Sequence, residues 1–191
     1  MRSLLSKALL ALVLLPAVAA AEVPTGWFLA GNDPKAYVAE RDVNTKRDGK
    51  VSARLASTGP SKGFGTMMQS FEAVEYRGKR LKLSAWVKSK DVNDWAGVWM
   101  RVDVDKDKKE GAFDNMQNRA IKGTKDWTRY DVVLDVAADA TAIAYGILVS
   151  GEGTVWMNDV QFQIVDASTP VTDMMKSSSN LKKPTNLDFS N

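Results

Sequence analysis

The central part of the chain alternates apolar and polar residues over short runs. Between residues 49 and 164 these runs are separated by clusters of Gly, Asn, Asp and Lys, and none of them keeps a helical period. A period of two places successive side chains on opposite faces of a strand. Short strands with regularly spaced turns are typical of an antiparallel sandwich or barrel. The predicted strands are residues 50–57, 65–74, 80–89, 96–104, 128–136, 142–150 and 154–165.

The N-terminus has a different pattern. Arg2 and Lys7 precede a short apolar run, and Ala19 and Ala21 form a small-residue cleavage pattern after it. This order is typical of a secretory signal peptide, and the apolar run is far shorter than the roughly 20 residues that a membrane span needs. The sequence therefore predicts a signal peptide at 1–21, no membrane span, and an exported protein that is periplasmic or secreted.

The C-terminal part is rich in Ser, Thr, Lys and Pro and shows no recurring apolar face. Segments of this kind cannot bury enough apolar surface to fold alone. We therefore expect one β-sandwich domain at 22–166, followed by a disordered tail at 167–191.

Composition excludes several classes of function. The chain contains no Cys and no His, which excludes disulfides, zinc–thiolate sites and every catalytic arrangement that needs an imidazole. It carries 26 Lys and Arg against 23 Asp and Glu, and two of the basic residues lie in the predicted signal peptide. The remainder is nearly neutral, so its charge gives no reason to expect nucleic acid as a partner.

One strand carries an unusual outer face. In the strand at 96–104, alternation leaves Trp99, Arg101 and Asp103 on the face opposite the apolar residues. An indole beside hydrogen-bonding groups suits a polar ligand with an apolar face, such as a sugar. The alternative is that loops and the N-terminal segment cover this face, which would make Trp99 and Trp86 core residues and Arg101–Asp103 a buried ion pair.

The connection that follows this strand is dense in side chains that hydrogen-bond or stack. Loops on a rigid scaffold often carry function, although Asp114 and Asn115 could equally cap the turn. Together with the outer face, this connection gives the predicted ligand-binding set, which is Trp99, Arg101, Asp103, Asp114, Asn115 and Arg119.

The order of motifs along the chain resembles the galactose-binding-like jelly-roll domains related to carbohydrate-binding modules. The resemblance covers roughly residues 26–165 and implies an all-β antiparallel jelly roll, or β-sandwich, with a tendency to bind carbohydrate. It also implies a structural calcium ion, for which Asp42 and Asp159 are the matching positions, although Asn158 stands where such domains often have a second Asp. The motifs are Tyr76-Arg77-Gly78-Lys79, Trp99-Met100-Arg101, Asp114-Asn115-Met116, Gly123-Thr124 with Trp127 and Tyr130, and Gly151-Glu152-Gly153-Thr154-Val155-Trp156.

Three functions compete on these grounds. The first is a non-catalytic binding module for a carbohydrate or similar polyol. The second is a structural or protein-interaction domain of the cell envelope, with a protein partner and no small-molecule ligand. The third is a glycoside hydrolase, which needs two carboxylates at a defined separation, and no spacing among Asp103, Asp114 and Glu152 marks such a pair. We therefore expect a binding protein that is not an enzyme.

Overall fold

The computed structural model describes residues 22–105 and 111–175. The predicted signal peptide at 1–21 lies outside the described residues. No helix in the described ranges is long and apolar enough to cross a membrane. The elements are nine strands, β1 (Phe28–Gly31), β2 (Tyr37–Arg47), β3 (Lys50–Ser57), β4 (Phe64–Glu72), β5 (Arg80–Asp103), β6 (Ala112–Asp114), β7 (Ile121–Asp135), β8 (Ala142–Ser150) and β9 (Thr154–Val165), and three single-turn 3₁₀ helices, Pro34–Ala36, Val74–Tyr76 and Gln117–Arg119.

The predicted all-β antiparallel fold is confirmed. The strands form one curled sheet in the order β1-β4-β8-β5-β9-β3-β2, with β6 and β7 also paired to β5. The sheet folds over itself at β5. The front layer contains β1, β4, β8, β6 and the end of β5, and the back layer contains β2, β3, β9, β7 and the start of β5.

The bend in β5 explains one difference from the prediction. The predicted strands at 80–89 and 96–104 are two parts of this single strand, joined through a polar stretch that reads as a turn. Its register against β7 shifts three times in this region, and Asp91 adopts a positive φ of 53°. These irregularities let one strand leave the back layer and enter the front layer.

The core lies between the two layers. The apolar residues of β5 face it from both halves of the strand, as the alternation predicts: Leu81 and Leu83 from the back layer, and Val98 and Met100 from the front, are at most 1% exposed. Each buried side chain of this size contributes about 1.5–3 kcal/mol to folding. The same alternation turns the intervening side chains of β5 to the two outer faces.

Four aromatic rings close one end of the core. Phe71 and Phe162 contact Tyr145 edge to face, with ring centroids 5.9 Å and 4.8 Å away, and Tyr76 packs against Phe71. The Tyr145 hydroxyl donates a hydrogen bond to the side-chain oxygen of Gln69. Burial raises the pKa of this phenol above its ordinary value.

The raised pKa predicts a loss of stability in alkali that depends on Tyr145. The unfolded chain releases the phenol proton near pH 10, before the folded chain does. The contribution of this group is therefore complete below about pH 10 and is lost as the pH rises further. We expect Tyr145→Phe to reduce the fall in unfolding free energy between pH 9 and pH 11, measured by urea titration. Identical falls in the variant and the wild type would contradict this account.

Part of the predicted tail is ordered on the sheet. The guanidinium of Arg80 donates to the carbonyl oxygens of Ala167 (2.6 Å) and Thr169 (2.7 Å). Further along, the backbone N–H of Thr172 donates to the carbonyl of Val133 at 2.8 Å. Residues 167–175 therefore lie against the strands, where backbone hydrogen bonds take the place of the apolar face that this segment lacks. Residues 176–191 lie outside the described residues.

Candidate functional site

A groove with a volume of about 360 Å³ lies on the outer face of the front layer. All five strands of that layer, or the residues next to them, contribute to its lining. The aromatic and polar side chains that line the groove are Phe64, Thr66, Trp95, Trp99, Arg101, Phe113, Asn115 and Ser150. Small or apolar residues of β1, β4 and β8 complete it.

Strand β5 supplies three of these side chains through its alternation. Because Val98 and Met100 face the core, Trp95, Trp99 and Arg101 point to the outer face. Trp95 was not among the predicted site residues, since the strand predicted from the sequence began after it. Trp95 and Trp99 are four residues apart and so lie on the same face of a strand. A predicted strand that continued through the polar stretch would have included Trp95 in the site.

Trp99 forms the fixed floor of the groove. Its side chain is 6% exposed and packs with Ala144 and Leu148 of β8. The indole N–H donates to the hydroxyl of Thr66 at 2.8 Å, and this hydroxyl donates to the carbonyl of Ile147 at 2.9 Å. These two hydrogen bonds hold the indole in one orientation before a ligand binds.

Around this floor stand side chains that are only partly buried. Trp95, Phe64 and Phe113 all pack against the Trp99 cluster and remain partly accessible. The groove therefore has a rigid apolar base with exposed aromatic surface on several sides. This is the surface on which a flat apolar ligand face can stack.

Arg101 is the charged residue among the described side chains that line the groove. Its guanidinium contacts the carboxylate of Asp103 in a forked arrangement, with Nε 2.6 Å from Oδ1 and Nη2 3.1 Å from Oδ2. The two side chains are 51% and 34% exposed. Arg101 and Asp103 are therefore not the buried ion pair of the alternative interpretation, although Trp99 itself is buried. The remaining N–H groups of Arg101 can donate to a ligand.

Asp114 and Arg119 hold the loop beside the groove. Asp114 is fully buried, and its carboxylate accepts hydrogen bonds from the backbone N–H of Met116 (2.8 Å) and from Nη1 of Arg119 (3.0 Å). Arg119 also donates to the carbonyl of Asp131. Neither side chain lines the groove, so the structure gives them a supporting place instead of the ligand contact that the sequence suggested. Asn115, between them in the loop, does line it.

Gly97 lets this loop approach the sheet. A Cβ atom at Gly97 would lie 2.4 Å from the carbonyl oxygen of Asn115 and 3.1 Å from the Cβ of Met116. We expect Gly97→Ala to displace the loop and to lower the unfolding free energy by about 2 kcal/mol, a cost typical of overpacking. Thermal and urea unfolding measure this. Gly59→Ala is the control, because a Cβ there meets nothing within 4 Å, and an equal loss in both variants would contradict the steric explanation.

Trp86 lies on the back layer, away from the groove. The guanidinium of Arg47 sits 3.9 Å from the ring centroid of Trp86. This cation–π contact covers part of Trp86, which is only partly buried and does not belong to the core.

Asp42, the first predicted calcium ligand, also lies on the back layer, in β2. Its carboxylate accepts hydrogen bonds from the indole of Trp156 (2.7 Å) and from the backbone N–H groups of Asn44 (2.8 Å) and Thr45 (3.1 Å). Burial raises the pKa of Asp42, but the donors outweigh this effect and lower the pKa to about 2.

Asp159, the second predicted calcium ligand, has other partners. Its carboxylate lies 3.8 Å from the guanidinium of Arg47 and accepts a hydrogen bond from Gln161. Within residues 22–105 and 111–175, no three Asp or Glu side chains form a group that could hold a metal ion. Both carboxylates thus have partners within the protein, and calcium binding at Asp42 and Asp159 stays a prediction.

Comparison with known proteins identifies one curated relative. No family model matches the sequence. The chain is 43% identical over 166 residues to YbfP of Bacillus subtilis (strain 168), named as an uncharacterized HTH-type transcriptional regulator. The match takes in 86% of this chain and 56% of the regulator. The chain thus spans little more than half the length of that relative.

Several solved structures are similar to this domain in fold. The CBM22-1 xylan-binding domain from Paenibacillus barcinonensis superposes with a TM-score of 0.54 at 15% identity, covering 76% of this chain and 89% of that domain. A family 16 carbohydrate-binding module gives a TM-score of 0.51 at 15% identity, with 70% and 92% covered. Similarity at this level of identity concerns the fold. The chain therefore shares the β-sandwich, or jelly-roll, fold of these solved domains.

Proposed function

We propose that the domain binds a carbohydrate, without catalysis, in the groove of the front layer. The observation that carries the proposal is the combination of a fixed indole, Trp99, with partly accessible aromatic rings and a few polar groups. Pyranose rings present C–H faces that stack on indoles, while their hydroxyls need hydrogen-bonding partners at the rim. Small-molecule sites generally combine apolar lining with a few placed polar groups in this way.

The extent of the groove favours an oligosaccharide over a single sugar. The lining reaches from Gly31 on β1 to Phe113 on β6. Five neighbouring strands separated by about 4.8 Å span about 19 Å. Several linked sugar rings can lie along such a surface, with Trp95 and Phe113 available to stack on different rings.

The charges at the groove support binding without hydrolysis. Two carboxylates flanking a glycosidic bond are the usual requirement for glycoside hydrolysis. The described side chains that line the groove include the guanidinium of Arg101 and no carboxylate. The carboxylate next to it, Asp103, is held by Arg101 itself.

The similar proteins indicate a ligand class to test and a context in which such a domain could act. The xylan-binding domain with the same fold makes β-1,4-linked xylose chains a first class of ligand to test. The Bacillus subtilis relative is named as a transcriptional regulator, so the same domain in such a protein would report the presence of a saccharide. For this chain we propose that binding takes place outside the cytoplasm, on the basis of the signal peptide that the sequence predicts.

The test is to titrate the protein with a panel of neutral and acidic oligosaccharides and to record the binding heat by isothermal calorimetry and the indole emission by fluorescence. Thermal unfolding with and without each oligosaccharide gives the unfolding midpoint. We expect at least one oligosaccharide to perturb the indole emission and to raise the unfolding midpoint, since a ligand that binds only the folded state stabilises it. Absence of heat and of any fluorescence change across the panel would exclude this function and favour the protein-interaction alternative.

A further inference from the structure

The end of the described chain runs along the side of the groove. We call residues 171–175 the C-terminal strap. Thr172 is joined to Val133 of β7 in both directions, with its backbone N–H donating to the Val133 carbonyl (2.8 Å) and its hydroxyl accepting from the Val133 N–H (3.0 Å). The next two residues reach β6. The strap therefore bridges β7 of the back layer, where Val133 pairs with Lys82 at the start of β5, and β6 of the front layer, which pairs with the end of β5.

The contacts to β6 converge on Phe113. The backbone N–H of Phe113 donates to Oδ1 of Asp173 at 3.1 Å, and its carbonyl accepts from the N–H of Met174 at 2.8 Å. On its other side, β6 pairs with β5, where Phe113 lies opposite Arg101. The strap thus occupies the free edge of a strand only three residues long.

The same residue carries part of the groove. The ring of Phe113 lines the groove and packs against the cluster around Trp99. Its backbone is therefore held by the strap while its ring faces the ligand side. The strap thus adds two hydrogen bonds to the backbone of the short strand that carries this ring.

Asp173 is the side chain that makes this connection. A single carboxylate oxygen, Oδ1, accepts from Phe113 and also from the backbone N–H of Met175 at 3.0 Å. The oxygen thus closes a local turn of the strap and joins that turn to β6. Loss of the carboxylate removes both contacts together.

We infer that Asp173 is a positioning residue for the groove and that docking of the C-terminal strap is coupled to ligand binding. The inference rests on the proposed function of the groove. A ligand that stacks on Phe113 favours the held position of the ring, and this position favours the docked strap. Coupling between two binding events is reciprocal. A ligand in the groove therefore stabilises the docked strap, and undocking of the strap lowers the affinity for the ligand.

The first experiment needs no ligand. Amide exchange and indole N–H resonances are measured by NMR in the wild-type chain, Asp173→Ala, Asp173→Asn and Asp166→Ala. Asp166 is the matched control, because it accepts a similar local hydrogen bond from the N–H of Ser168 at 2.8 Å and lies before the strap. We expect faster exchange at Phe113 and shifted Trp95 and Trp99 indole signals in Asp173→Ala alone, with Asp173→Asn near wild type because it keeps the acceptor oxygen.

The second experiment adds xylohexaose as the probe. We expect it to slow amide exchange at residues 172–175 of the wild-type chain, and Asp173→Ala to weaken its affinity roughly 2- to 10-fold, the range that one hydrogen bond supports. Asp166→Ala should bind like wild type.

Unchanged Phe113 exchange and indole signals in Asp173→Ala would overturn the positioning role. Altered signals with unchanged affinity and no protection of the strap by xylohexaose would overturn the coupling. If xylohexaose does not bind the wild-type chain, the proposed function fails for this probe, while the ligand-free measurement still confirms or overturns the placement of Phe113 by Asp173.

Discussion

Trp95→Ala is expected to weaken oligosaccharide binding by about 30-fold. Aromatic side chains at the centre of a contact surface commonly contribute 2 kcal/mol or more, and Trp95 is the partly accessible indole of the groove. Its removal takes away a stacking surface but leaves the fixed floor at Trp99 in place. Calorimetric titration of variant and wild type under the same conditions gives the ratio of affinities.

Trp127→Ala is the control for this result. Trp127 lies in β7, is also partly buried and does not line the groove. The Trp127→Ala substitution removes one indole from the protein without changing the proposed site. Equal losses of affinity in the two variants, or full affinity in Trp95→Ala, would exclude stacking on Trp95.

Arg119→Met is expected to lower the unfolding free energy by about 3 kcal/mol. The Asp114 carboxylate is fully buried, and removal of its guanidinium partner leaves a buried charge without compensation. The loop that carries Asn115 loses its anchor in the same step. Urea unfolding followed by far-ultraviolet circular dichroism measures the change.

The pair formed by Arg101 and Asp103 offers the matched comparison. Both pairs are bidentate, through Nε and Nη2 in Arg101 and through Nη1 and Nη2 in Arg119. The Arg101 pair is largely solvent-exposed, and exposed pairs contribute less than about 1 kcal/mol. Arg101→Met should therefore keep nearly wild-type stability while it loses a hydrogen-bond donor at the groove. A larger loss of stability in Arg101→Met than in Arg119→Met would reverse the assignment of the two pairs.

Much of the fold could be predicted because burial imposes a period of two. The strands β3, β8 and β9 have the predicted bounds, and the inward faces of β5 are the predicted ones. The whole of β2 was missed, and its second half is polar, as an edge strand with little apolar surface to bury can be. β1 and β6 are only four and three residues long, too short for an alternating pattern to reveal them.

The site could be predicted in part for the same reason. Trp99 and Arg101 share an outer face that alternation alone reveals. What alternation does not reveal is depth: Asp114 and Asn115 are neighbours in sequence, yet one is buried beneath the loop and the other lines the groove. Phe64 and Ser150 join the site only through pairing of β4 and β8 with their neighbours.

The position of β5 in both layers also affects how the chain is made. Before β8 emerges during synthesis, the available pairings are β1 with β4, β2 with β3, and β5 with β6 and β7. The strands that join these pieces, β8 and β9, come last. Contacts between distant parts of a chain also form slowly. The nascent chain therefore stays without its core until nearly all of the domain has left the ribosome, and any truncation before residue 142 should yield unassembled pieces rather than a smaller folded unit.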